Sequence, residues 1–147
     1  MKLVIQRVLN ASVEVDGDII GEIEEGLMVL VGFGVDDTTR EADYLAKKLA
    51  KLRIFPDDEG RMNRSVVDIN GKVLLVPQFT LYAHTKKNRP SFHRALAPDK
   101  ATVLFDYFKD KCSDLVGVET GEFGAFMNVN LLNNGPVTII LEKEFDE

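Results

Sequence analysis

Residues Gly26-Leu27-Met28-Val29-Leu30-Val31-Gly32-Phe33-Gly34 form an unbroken apolar run bounded by glycines. Such a run carries no polar face to turn toward water, so it reads as a strand covered on both sides. The chain must therefore supply a layer of structure on each face of it, which makes this strand central. Leu3 to Val15 supplies one neighbour: its odd positions read Leu, Ile, Arg, Leu, Ala, Val, Val, and its even ones are mostly polar from Gln6 onward, with Val8 the exception. Asp16-Gly17 suits a two-residue hairpin turn, with Asp18 to Ile23 as the returning strand. Arg7 interrupts the apolar odd face. Its guanidinium either reaches solvent over a packed stem or finds acceptors inside.

Two helices follow from periodicity. Thr38-Thr39-Arg40-Glu41 is a capping-box pattern, and Ala42, Leu45, Ala46, Leu49 and Leu52 fall on one stripe, predicting a helix over about Thr39 to Lys51. Pro98 opens the second, with Ala101, Leu104, Phe105, Phe108 and Cys112 on one face and Gly117 as its expected close. Ala97 before it is a poor cap, at a cost of ~1 kcal/mol. Arg53-Ile54-Phe55 reads as a short strand and Pro56-Asp57-Asp58-Glu59-Gly60 as a solvated turn, without the alternating ligands of a calcium loop. Val73 to Val76 is a further strand, expected to end or bulge near Pro77, which cannot donate to a central ladder. A backbone leaving its ladder there frees the Phe79 and Thr80 amides. Phe126 to Leu132 and Val137 to Leu141 read as two last strands, joined by Asn133-Asn134-Gly135-Pro136. The fold class is α+β: a β-rich single domain over residues 1–147, of two packed sheets or a barrel-like sheet with two main helices on one side, in three layers β/β/α.

Composition narrows the function classes. At 147 residues, 45% apolar and 29% charged, the chain is an ordinary globular domain with no stretch long enough for a membrane span. The N-terminus lacks a signal-peptide pattern, so cytoplasmic residence is the default expectation. The single Cys112 rules out an internal disulfide and a cysteine metal cluster. A net charge of −6 argues against a surface coated for nucleic acid. Two local basic runs stand against that background: Lys47, Lys48, Lys51 and Arg53, and then Lys86, Lys87, Arg89, His93 and Arg94. The second lies in a loop with Asn88, Pro90, Ser91 and Phe92, where binding residues concentrate. No nucleophile elbow, phosphate loop, dinucleotide fingerprint or zinc-protease helix occurs, and the two histidines, His84 and His93, show no triad spacing.

Several fragments, in order and nearly end to end, resemble the D-aminoacyl-tRNA deacylases: Gln6-Arg7-Val8, Ala11-Ser12-Val13, Arg53-Ile54-Phe55, Gln78-Phe79-Thr80-Leu81, Arg89-Pro90-Ser91-Phe92 and Asn134-Gly135-Pro136-Val137-Thr138. The resemblance implies hydrolysis of the ester that joins a D-amino acid, or glycine, to the terminal ribose of tRNA, with no metal and no cofactor. It implies a homodimer in which Gly135-Pro136, held cis and braced by Arg7, enters the partner's pocket near Pro77, Gln78, Phe79 and Thr80. Carbonyls of that loop would collide with an L side chain and spare a D one. The Phe79 and Thr80 amides would stabilise the oxyanion, and Thr80 would position rather than attack. Lys86, Lys87, Arg89 and Arg94, with Lys47 and Lys51 as additions, would meet the phosphates of the acceptor stem. The chain departs from the family at Pro77, where serine is usual; a hydroxyl and an amide are both missing there, and the two following amides are expected to suffice. The competing reading is a non-catalytic dimeric nucleic-acid-binding domain that uses the basic loop alone.

Overall fold

The computed structural model describes residues 1–145 and is organised about its first strand, β1 (Lys2–Val15). After the Asp16-Gly17 turn, both of whose residues have positive φ (51° and 86°), the chain returns antiparallel as β2 (Asp18–Ile23) and then β3 (Gly26–Gly32). Ala11 pairs with Ile23 and Val8 with Gly26, so β2 and β3 follow one interrupted path along a single edge of β1. The other edge is taken by the last strand, β8 (Asn128–Glu142). On the far side of β3, β6 (Lys72–Pro77) and then β7 (Gly117–Thr120) add in parallel. Between these lie α1 (Thr39–Lys51), a small hairpin of β4 (Phe55–Pro56) and β5 (Met62–Arg64), and α2 (Pro98–Ser113). The architecture is the three-layer α+β arrangement expected, with a barrel-like sheet and both helices packed on it.

The central run behaves as its composition requires. Leu27, Val29 and Val31 of β3 and Val73 and Leu75 of β6 face a core shared with Ala42, Leu45 and Leu49 of α1 and Leu104, Phe105 and Phe108 of α2. Met28 of β3 and Leu74 and Val76 of β6 face a second core, closed by Val8, Ala11, Val13 and Ile23 of the curled β1–β2 end. Glu41 closes the capping box with Thr38, while Ala97 gives α2 no side-chain cap. Cys112 is buried in the helix-side core, and burial pushes its thiol up to about 12.

Four expectations are corrected. Arg53 and Ile54 precede β4 rather than forming it. β6 does end at Pro77, and Phe79–Tyr82 follows it as a turn of 3-10 helix. The second helix ends at Ser113, and Gly117 begins β7, where its lack of a Cβ lets Lys72 of β6 lie alongside. The last two strands are one: Asn133 to Pro136 is a bulge inside β8, because both flanks pair with β1. The odd face of β1 also does not run through. Leu3 and Ile5 enter the helix-side core, yet Val8, Ala11 and Val13 enter the other, and Leu9 is 46% exposed. A register shift between Val8 and Asn10 places one extra residue on β1, which turns its apolar side over. In chemical denaturation, Val8→Ala is expected to cost about 2–3 kcal/mol and Leu9→Ala less than about 0.5. Equal losses would contradict the change of face.

Candidate active site

The strands β3, β6 and β7 run parallel, and beyond their carboxyl ends the chain leaves the sheet three times. Such ends are where open α/β sheets place ligands, because the departing segments leave a crevice. Here that crevice is a cleft of about 360 Å³, bordered by Val31 and Phe33 at the end of β3, Pro77, Gln78 and Phe79 at the end of β6, and Phe123 after β7. Leu96 and Ala101 wall its helix side. The Phe79 ring, 56% exposed, stands edge-on to Phe92 with centroids 4.9 Å apart, forming an aromatic rim.

The exit of β6 shows why proline is accepted there. The Gln78 amide donates to the Val31 carbonyl at 2.8 Å, so the alternation of the ladder turns the Pro77 nitrogen toward the β7 side, where the Gly121 amide makes a last bond to the Leu75 carbonyl at 2.8 Å. The proline falls at the end of that ladder, where at most one bond is forgone. The chain then winds into the 3-10 turn, held by Leu81 donating to the Gln78 carbonyl (3.3 Å) and by the Lys2 ammonium on the Leu81 carbonyl (3.2 Å). Gly32 permits the turn to sit this close: a Cβ there would come within 2.9 Å of the Leu81 Cβ. The first amides of a 3-10 turn, those of Phe79 and Thr80, have no acceptor within it. The Gln78 side-chain amide donates to the Thr80 hydroxyl oxygen. No base contacts that hydroxyl among the described residues.

Next to this rim, His84 and Ser91 bridge through two backbone hydrogen bonds (2.8 and 3.0 Å) and close an exposed hairpin whose tip carries Lys86, Lys87 and Arg89. Arg94 is exposed just beyond, where its carbonyl accepts from the Val35 amide at 2.9 Å. Ser91 Oγ and His93 Nδ1 lie 3.2 Å apart, and the His84 and His93 rings meet edge-on at 5.1 Å, within the hairpin rather than at Thr80.

Gly135, Pro136 and Arg7 are elsewhere. Gln6 pairs with Thr138 and Val8 with Asn133, so Asn134, Gly135, Pro136 and Val137 all stand opposite Arg7 alone. The guanidinium fills the gap: Nε donates to the Asn134 carbonyl at 3.0 Å and Nη1 to the Ile54 carbonyl at 2.7 Å. The Thr138 hydroxyl on Gln6 Oε1 (2.5 Å) closes the bulge at its base. Gly135 has φ +131°, and a Cβ on it would lie 3.2 Å from Arg7 Nη2; its bond to Pro136 is cis, and both residues are exposed. Arg7 pairs with Leu27 and Leu27 with Val73, four residues before Pro77 on β6. That is roughly 13 Å along the strand direction. Within one chain the two groups of candidate residues thus lie toward opposite ends of the parallel strands.

Sequence reasoning named the turn and the bulge but missed Val31, Phe33, Leu96 and Phe123 in the cleft. Their common signal is position at or just past the end of a parallel strand, or just before α2, which shows only once strand direction is known. For the bulge, Arg7→Lys keeps the charge but cannot span both carbonyls. Amide exchange across residues 133–138 is expected to speed up about tenfold, with a loss of roughly 1–2 kcal/mol in global stability. Unchanged protection there would contradict the bracing.

Comparison with known proteins agrees with this arrangement. The family model for D-Tyr-tRNA(Tyr) deacylase matches residues 4–142. A solved structure described as c-Myc DNA Unwinding Element Binding Protein superposes with a TM-score of 0.94 at 38% identity, covering 99% of this chain and 100% of that one. Another, described as a probable eukaryotic D-amino acid tRNA deacylase, shares the fold at a TM-score of 0.81 and 19% identity, covering 95% of this chain and 97% of that one. The match spans every strand and both helices described above, and the chain belongs to the D-Tyr-tRNA(Tyr) deacylase family, hydrolases of D-aminoacyl-tRNA.

Proposed function

We propose that the protein cleaves the ester of D-aminoacyl-tRNA, and of glycine misattached to tRNA, as a homodimer in which Gly135-Pro136 of one protomer closes the partner's cleft and excludes L residues. The observation that carries this reading is the separation just described. A loop built around Arg7 projects into solvent at one end of the strands, while the cleft at the other end has an open mouth and no loop of its own chain to close it. The free edge of β8 supports pairing of two chains. It is long, among the described residues it pairs with β1 alone, and Leu132 and Ile140 on the strand are 51% and 62% exposed. Such an edge needs a cover.

In the assembled site the terminal ribose and base would rest against the Phe79–Phe92 rim, with the ester carbonyl over the 3-10 turn. Attack by water moves electrons onto the carbonyl oxygen, and the Phe79 and Thr80 amides, which have no acceptor within their turn, would receive that charge. Removing one such donor in other enzymes costs about 3–4 kcal/mol of transition-state stabilisation. The substrate's own 2′-hydroxyl is placed to assist the leaving ribose oxygen, so no protein base is required. Thr80, fixed by Gln78, keeps the turn in register. The carbonyls around Gly135-Pro136 would sit against the α-carbon, where a hydrogen fits and an L side chain does not. This filter reads handedness without contacting the side chain, so D residues of many sizes pass. Lys86, Lys87 and Arg89 on the adjoining hairpin, with Arg94 just beyond it, would hold acceptor-stem phosphates.

The non-catalytic reading has one observation in its favour, the likeness to a protein described as binding a DNA unwinding element. Incubation with D- and L-tyrosyl-tRNA separates the two: release of D-tyrosine alone is expected, whereas tight tRNA binding with neither ester cleaved would establish the binding module. Glycyl-tRNA is expected to be cleaved as well. Thr80→Val is expected to retain kcat/KM within about tenfold, and a fall beyond about a thousandfold in a folded variant would make the hydroxyl the reacting group. Gly135→Ala introduces a Cβ at a strained φ and against Arg7, and should erode D-over-L discrimination by at least about tenfold.

A further inference from the structure

The 3-10 turn at the cleft is weakly held by its own bonds. Leu81 donates to the Gln78 carbonyl at 3.3 Å and Ala83 to the Thr80 carbonyl at 3.2 Å, both longer than the usual distance of about 2.9–3.0 Å, and no side chain caps the start of the turn. The Gln78 amide fixes the entrance on Val31, but that bond does not reach the far end at Leu81 and Tyr82. A turn of four residues held in this way takes its orientation from what it sits on.

It sits on one cross-strand pair. Lys2 of β1 stands directly opposite Gly32 of β3, so the two share a face of the sheet. Gly32 leaves the gap into which Leu81 packs: a Cβ there would lie 2.9 Å from the Leu81 Cβ and 3.1 Å from the Gln78 carbonyl oxygen. The lysine closes the contact from its side of the pair. Its ammonium donates to the Leu81 carbonyl at 3.2 Å and lies 5.1 Å from the centre of the buried Tyr82 ring. Glu142 stands opposite Lys2 on the other edge of β1 and is the ordinary cross-strand partner for a lysine, yet Lys2 forms no ion pair among the described residues. The charge goes to the turn instead. Because β1 is paired along both edges here, the stem of the lysine starts from fixed main chain.

We infer that Lys2 is a positioning residue for ester hydrolysis: by holding Leu81 and Tyr82 against the Gly32 gap, it sets where the Phe79 and Thr80 amides of the same turn meet the oxyanion. The inference rests on the functional reading above and concerns a residue that touches no reacting atom. In so short a turn a displacement at Leu81 is carried to Phe79 and Thr80, and misplacing a catalytic group by about 1 Å can cost about a hundredfold in rate. Gln78 and Thr80 steady the turn from within, and Lys2 steadies it from the sheet.

The test compares Lys2→Met, which keeps the length and packing of the stem but removes the donor and the charge, with Lys2→Arg, which restores both. The kcat for D-tyrosyl-tRNA is expected to fall about tenfold in Lys2→Met with KM within about twofold of the parent, and to recover to within about threefold in Lys2→Arg. Amide exchange at Leu81 and Ala83 should speed up about tenfold in Lys2→Met while exchange in β1 and β3 holds. Lys143→Met, which removes a lysine from over a different ring, that of Tyr44 at 4.8 Å, is the matched control and should leave kcat and the exchange of the turn unchanged. A parent-like kcat in Lys2→Met overturns the inference. So does a loss that Lys2→Arg fails to relieve, or one that comes with faster exchange throughout β1, since either marks general damage to the strand. A parent that cleaves no D-ester would sink the hydrolase reading, and faster exchange at Leu81 and Ala83 in Lys2→Met would then leave the seat of the turn standing without a catalytic role.

Discussion

The Arg7 guanidinium is the interaction on which the outer half of the molecule depends. It stands opposite four residues of β8 where a regular ladder would offer one, and it donates once to that strand, at the Asn134 carbonyl, and once to the Ile54 carbonyl beyond α1. Without it the bulge carbonyl at Asn134 would face an empty register position, and the loop would have no fixed direction. An arginine does this where a lysine would not, because its planar fork donates to two carbonyls at once. The cost of interrupting the apolar side of β1 with a charge is offset locally, by backbone carbonyls, with no carboxylate involved.

That joint also explains the division of labour in the fold. β1 is paired along both edges, so it can carry irregularities at Arg7 and near Leu9 that would unravel an edge strand. The first displaces a loop outward, and the second turns the strand's apolar side from the helix core to the second core. The parallel strands β3, β6 and β7 keep their register, and the cleft opens at their carboxyl ends. At that cleft the chain has a proline as the last residue of β6, a tight turn whose first two amides have no acceptor within it, and a threonine held by Gln78.

The features legible in the sequence were those decided by neighbouring residues. The doubly covered run Gly26–Gly34, the Asp16-Gly17 turn, the Thr38–Glu41 capping box and the limits of α1 all depend on contacts within a few positions, and all stand in the structure. Asn133-Asn134-Gly135-Pro136 has the local chemistry of a turn, yet its flanks are held to one partner more than a hundred residues earlier, and that pairing keeps the strand continuous. Val8 looked like an exception to an odd-numbered face because alternation cannot announce a bulge. Gly117-Val118-Glu119-Thr120 is too short and too polar to read as a strand, and without β7 the direction of the sheet's ends was hidden. The motif residues at the turn and at the bulge were found through likeness to a family; the apolar walls of the cleft, scattered from Val31 to Phe123, were not.

The central claim is that the handedness of the substrate is sensed by main chain lent from a second copy of the protein. A crystal structure with D-tyrosyl-adenosine joined through a non-hydrolysable amide tests it most directly. The expected result has the ligand carbonyl on the Phe79 and Thr80 amides and its α-carbon against the partner subunit's Gly135 and Pro136. A ligand seated in the same cleft with Gly135-Pro136 of both chains facing solvent would contradict it.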